Sequence, residues 1–378
     1  MQTLLAVALL ASIDAANATR ALAELQALCA ADAGRLWGRS VCGPVVFADP
    51  QTREAFTAEG PSTIPDSIGI ANTAVEWNGK TWTMVMWPLP ESVIGRRVLL
   101  AHESFHRLQK ELGLPSANPQ NAHLDSADAR YWLRLEWRAL ARALATGDKS
   151  AVAEALAFRA KRRELFPTDE ERQLEMNEGL AEYTGYALAV PQVSERIAPL
   201  VRRLANADKG ERFARSFAYT SGPAWGTLIE MRDPRWTRRA AASDDLGAIA
   251  RRVWKINEAP LNADAYGGAA VRAEEDARAE KKRAMFAELK AKFLDGPVVA
   301  IPLNGAQYTF DPNNAQPFAG HGTVYQSMEV RGEWGKLVVT GGALISADYT
   351  QLTVPASGDG YTLTLNEGWR IIGGRLTH

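Results

Sequence analysis

The stretch Glu91–Gly113, ESVIGRRVLLAHESFHRLQKELG, decides how this chain is read. Its apolar residues Val93, Ile94, Leu99, Leu100, Phe105 and Leu108 recur with helical period, Pro88 and Pro90 precede it, and Gly113 follows as a stop, so a long helix is expected. On that helix His102 and His106 stand at i and i+4, one turn apart on one face. Both imidazoles can therefore reach a single ion about 2.0 to 2.1 Å from each nitrogen. Glu103, beside His102, can lean toward the open position of such an ion, where a carboxylate can take a proton from bound water. The bland alternative is a chance H-E-x-x-H on a core helix. Two of the chain's five histidines at this spacing around a glutamate weigh against it.

Upstream, residues 44 to 90 read as strands and turns. PVVFADP is a short apolar run, and TAVEWNGKTWTMVMWPLP is two alternating runs around Asn78-Gly79, a strong hairpin signal. Downstream the pattern is helical at about residues 127 to 147, 149 to 165 and 169 to 190, and stays mainly helical to 295. The charged run AAVRAEEDARAEKKRAMFAELKAKFLD has interleaved signs that suit a solvated connector helix. From Gly296-Pro297 short β-rich runs (VVAIPL, AQYTF, TVYQSMEVR, KLVVT, YTQLTVP, YTLTLN) alternate with Gly, Pro, Asn and Asp. They indicate a second, all-β domain, a small sandwich or barrel.

The 378 residues suffice for two domains, and 43 Lys+Arg against 44 Asp+Glu leave no positive field of the kind that binds nucleic acid. No apolar run is long enough for a transmembrane segment. At the N-terminus TLLAVALLAS, followed by Ala16-Asn17-Ala18, fits a signal peptide over residues 1–18 and export to a periplasmic or secreted location. An amphipathic helix continuing into ATRALAELQALCAAD in a cytoplasmic protein is the rival. Cys29 and Cys42, the only cysteines, would pair in an oxidising compartment.

A catalytic zinc keeps three protein ligands and an open fourth position, so one more ligand is needed. The metzincin pattern is excluded, because Gln109 and Leu112 stand where it has Gly and His. Downstream, Asn177-Glu178-Gly179-Leu180-Ala181-Glu182-Tyr183-Thr184-Gly185 resembles the N-E-x-x-x-[DE]-x-x-G helix of thermolysin-like gluzincins, a family of zinc metallopeptidases. The resemblance covers two short motifs. It departs from the family in carrying Glu at 182, where Asp is commoner, and in the long interval between His106 and Glu178.

That resemblance implies an α+β protein: a zincin-like catalytic domain over 19–295, with a small N-terminal sheet and then mainly helices, followed by the β domain at 296–378. It implies one Zn2+ held by His102, His106 and Glu178, with Glu182 and Asn177 supporting the site. Glu175 and Glu136 are the competing ligands, Glu136 reading better as a buried partner for an arginine. Ala218-Tyr219-Thr220-Ser221-Gly222 resembles the Y-x-x-G segment of the aminopeptidase branch, which makes Tyr219 the expected oxyanion donor, with His123 in NAHLDS as the second choice. His321 and His378 lie outside the site region.

The expected reaction is hydrolysis of a peptide or protein substrate, with Glu103 as proton carrier. The branch's G-x-M-E-N string is missing, which favours an endopeptidase, and the hairpin strand TWTMVMW offers a cradle for an extended substrate. The alternatives are a non-catalytic zincin-fold binding module, against which the intact Glu103 speaks, and a zinc hydrolase of a non-peptide substrate.

Overall fold

A computed structural model describes residues 13–258, 260–311, 314–318 and 320–378. The chain is mixed α/β and divides between Glu275 and Asp276 into two compact units. The apolar N-terminal run assigned to a signal peptide lies outside the described residues. Ala16-Asn17-Ala18 sits in the first turn of helix α1 (Ala15–Asp32), which Asp14 caps by accepting from the Asn17 N–H, and Ala18 is buried.

After α1 come strands β1 (Val45–Ala48), β2 (Glu54–Thr57), β3 (Gly60–Thr63), β4 (Thr73–Trp77) and β5 (Lys80–Met86). They form one sheet in the order β3-β2-β1-β5-β4, with β1 and β5 parallel and the other pairs antiparallel. Asn78, at positive φ, and Gly79 close the β4–β5 hairpin, as a tight turn requires. β1 is buried throughout because both faces are covered. Val45 and Phe47 point into the main helical core, while Val46 and Ala48 pack with Trp77, Trp82 and Met84 on the other side.

The order corrects one expectation. TWTMVMW is β5, paired on both sides, so its backbone has no free edge for a substrate. The open edge next to the hairpin is β4.

Helix α2 (Val93–Gln109), capped by Ser92, carries the two histidines. It is followed by α3 (Ala127–Thr146), α4 (Lys149–Leu165), α5 (Glu170–Leu174), a π-helical turn (Glu175–Gly179), α6 (Leu180–Ala189), α7 (Val193–Ala207), α8 (Ser216–Glu230) and α9 (Leu246–Trp254). Their core is continuous and built on Phe105, Trp137, Phe158, Tyr183, Phe217 and Trp225. A Cys29–Cys42 disulfide ties α1 to the segment before β1.

Helix α10 (Gly268–Lys290) runs across the division. The second unit then forms a four-stranded and a seven-stranded sheet between Val298 and Thr377, sharing a core of Ile301, Val330, Trp334, Leu337 and Val354. Among the described residues no helix is long and apolar enough to cross a membrane.

Candidate functional site

Two glycine contacts bring three helices together around the histidines. A Cβ at Gly185 on α6 would lie 2.7 Å from the Val98 carbonyl oxygen on α2, so only glycine lets these helices lie this close. A Cβ at Gly222 on α8 would lie 2.3 Å from the Gly179 Cα, which closes α8 onto the π-helical turn. These approaches place Glu178, Glu182 and Tyr219 against the buried face of α2.

The ring nitrogens converge there. His102 Nε2 and His106 Nε2 are 3.1 Å apart, and Glu178 Oε2 is 3.4 Å from the first and 3.3 Å from the second. Donors about 2.0 to 2.1 Å from one tetrahedral ion are separated by about 3.3 Å, so the triangle has the dimensions of a zinc ligand set.

The hydrogen bonds behind the rings set the chemistry of those donors. His102 Nδ1 is 2.8 Å from Glu182 Oε2, a carboxylate that can only accept, so Nδ1 carries the proton and Nε2 presents a lone pair. His106 Nδ1 is 2.9 Å from Gln109 Oε1, and the Gln109 amide nitrogen is committed to Asn177 Oδ1 at 3.0 Å and to the Pro115 carbonyl. The same logic leaves His106 Nε2 as a lone pair. Two ring nitrogens and a carboxylate oxygen facing one another within hydrogen-bond distance repel unless a proton or a metal ion lies among them. His102, Glu103 and His106 also cluster closely enough to hold a metal ion.

The ionisation tendencies reflect this crowding of negative charge. Burial opposes a charge on His102, but Glu178, Glu182 and Glu103 outweigh it and push the imidazole up to about 10, so a proton takes the Nε2 position wherever a metal ion does not. Burial likewise opposes ionisation of Glu178, yet His102, His106 and Tyr219 hold it well below the usual carboxylate range. Glu103 moves the other way, raised by burial with the histidines only partly compensating. Its Oε1 is 3.9 Å from His102 Nε2, and its buried Oε2 has no hydrogen-bond partner among the described residues.

Tyr219 stacks on His102, with centroids 5.6 Å apart and planes within 3°. Burial and the negative charge of Glu178 push its hydroxyl well above the ordinary phenol range, so it stays a donor. These groups line one side of a cleft of about 1080 Å³, and Thr73, Ala74 and Glu76 of the β4 edge line it as well.

No family model, curated protein or solved structure matches this chain.

Of the residues singled out from sequence, His102, Glu103, His106, Asn177, Glu178, Glu182 and Tyr219 are gathered at this cleft. His123 is not. Its Nε2 lies 3.0 Å from Glu171 Oε1 and its ring packs on Phe166, so it belongs to a separate buried network. That network also takes the two competing ligands: Glu136 is bound by Arg162 at 2.6 Å and Arg159 at 3.2 Å, and Glu175 by Arg159.

Sequence reading missed Gln109 as the partner of His106. It also missed Arg203, whose Nη2 is 2.9 Å from Glu182 Oε1, and Arg215, whose Nη2 is 3.7 Å from Glu178 Oε1. A short period can reveal Gln109, three residues after His106. Arg203 comes from α7 and Arg215 from the residue just before α8, and neither leaves a local signal.

Proposed function

We propose that the protein is a zinc-dependent peptidase of the gluzincin kind, with the metal held by His102, His106 and Glu178. The observation that carries the reading is the triangle of two ring nitrogens and a carboxylate oxygen, 3.1, 3.3 and 3.4 Å on a side, beside a buried carboxylate oxygen that has no other partner among the described residues. The zincin-like character of the first unit rests on the same set of residues.

A zinc ion in this position supplies a Lewis acid for the scissile carbonyl and a lowered pKa for water. The chain's own groups do the rest. Glu182 and Gln109 keep the imidazole protons on Nδ1, so both Nε2 atoms remain available as ligands. Glu103 takes the proton from the attacking water and delivers it to the leaving amine, a task suited to a carboxyl whose pKa burial raises. The Tyr219 hydroxyl donates to the developing oxyanion. The β4 edge offers unpaired backbone groups along which an extended peptide can lie. The Cys29–Cys42 pairing, with Cα atoms 5.9 Å apart, supports an oxidising destination outside the cytosol.

The test is the Glu103→Gln variant, assayed against a mixed peptide library read by mass spectrometry. It is expected to retain about one zinc per chain and lose nearly all cleavage, because an amide keeps the shape beside the ligands yet cannot accept the proton. A zinc-loaded wild type that cuts no peptide in a broad library would overturn the peptidase reading.

A further inference from the structure

Next to the cleft lies a second cavity of about 770 Å³, formed where the end of α7 meets the start of α8. It shares Tyr186, Arg203, Arg215 and Tyr219 with the cleft, so the two are continuous. Three arginines line it, Arg202, Arg203 and Arg215, and among the described residues no acidic one does. The first turn of α8 adds to the same sign, since it carries neither an acidic side chain nor a side-chain cap.

The three guanidinium groups are unequally committed. Arg203 gives Nη2 to Glu182 and Nη1 to the Tyr186 hydroxyl at 3.2 Å, while its buried Nε has no partner among the described residues. Arg215 donates to Asn118 Oδ1 at 2.6 Å. Arg202 is exposed and has no hydrogen-bond or ion-pair partner among the described residues. Glu182 and Glu178 answer part of the charge of Arg203 and Arg215, but Arg202 has no counter-charge among the described residues, so this concave, arginine-lined site keeps donors for an anion.

We propose that this cavity is a substrate subsite for a carboxylate, lying one or two residues from the bond that is cleaved. The inference rests on the peptidase reading, since a peptide brings carboxylates to this place. The distance follows from Arg215, which lines both cavities with Nη2 3.7 Å from Glu178 Oε1, the other oxygen of the ligand carboxylate, when one extended residue spans about 3.3 to 3.6 Å. The carboxylate can come from an Asp or Glu side chain or from a free C-terminus.

The experiment measures binding rather than turnover. Zinc-loaded Glu103→Gln protein is titrated calorimetrically with blocked alanine pentapeptides that carry no charge, one central Glu or one central Lys, and with the same neutral peptide bearing a free C-terminus. One of the two carboxylate-bearing peptides is expected to bind about tenfold more tightly than the neutral one, and which one does so identifies the source. Adding Arg202→Glu should cut that preference by about fivefold and improve binding of the Lys peptide. Equal binding of neutral and acidic peptides, or a preference untouched by Arg202→Glu, overturns the proposal. Selective binding alongside a wild type that cleaves nothing would leave the subsite standing and remove the peptidase reading instead.

Discussion

Replacing Gly222 by alanine tests whether helix packing, and not only the ligand side chains, sets the site. The added Cβ would meet the Gly179 Cα at 2.3 Å and the Gly179 carbonyl oxygen at 2.5 Å. Both are backbone atoms, so no side chain can swing away. Restoring an ordinary carbon contact of about 3.5 Å requires α8 and the π-helical turn to separate by about 1.2 Å. Overpacking of this kind costs about 1 to 3 kcal/mol, which for a unit of this size lowers Tm by about 2 to 5 °C. Glu178 neighbours Gly179 and Tyr219 precedes Gly222 by one turn, so the two would part by a similar distance. The part of that shift taken up by the π-helical turn carries Glu178 away from His102 and His106, and ligand distances are held to about 0.2 Å, so zinc affinity should fall as well. Thermal unfolding and competition against a chelator of known affinity give both numbers. An unchanged Tm together with unchanged zinc affinity would refute the argument.

Three further outcomes are expected. Glu182→Gln should weaken zinc binding about 10- to 100-fold, because the 2.8 Å contact that keeps the His102 proton on Nδ1 loses its charge; equal affinity in chelator competition would contradict this. Burial opposes ionisation of Asp245, but Arg159, Arg163 and the Ala248 N–H outweigh it and hold its carboxyl low. Such a group stabilises the fold above the unfolded aspartate value of about 3.9, and that stability is lost as pH falls toward the folded value. Asp245→Asn should therefore unfold more easily at neutral pH yet lose less stability between about pH 4 and pH 2 in urea titrations. Replacing Cys29 and Cys42 together by serine should cost about 3 kcal/mol, as expected for a bridge across 13 residues; a Tm within 1 or 2 °C (roughly) of the parent would argue against it.

What could be read from the sequence was what local periodicity encodes. Asn78-Gly79 marked a hairpin because few residues accept the backbone that turn needs, and His102 and His106 fell on one face because a helix repeats every 3.6 residues or so. Strand order was not legible. β1 enters beside β5 from far along the chain, so the apolar alternation of TWTMVMW read equally well as an edge strand or an interior one. His123 was unreadable for the same reason, since nothing around NAHLDS shows that Glu171, drawn deep by Arg162, will take its ring nitrogen. Arg202, Arg203 and Arg215 reach their places through the packing of α7 on α8.

The π-helical turn at Glu175–Gly179 resolves an ambiguity that spacing alone cannot. Glu171, Glu175, Glu178 and Glu182 follow one another at intervals of four, three and four residues, the repeat of a single stripe along an α-helix. In an unbroken helix all four carboxylates would line one face, repelling one another and competing for the same partners. One residue taken up in a wider turn rotates everything after it by about 100°. The stripe is thereby cut in two. Its first half is handed to the buried arginines and its second half to the histidines. Rewinding the same residues as an unbroken α-helix would rejoin the halves, and the protein would exchange a sorted set of charges for a crowded one without losing a single glutamate from the stripe.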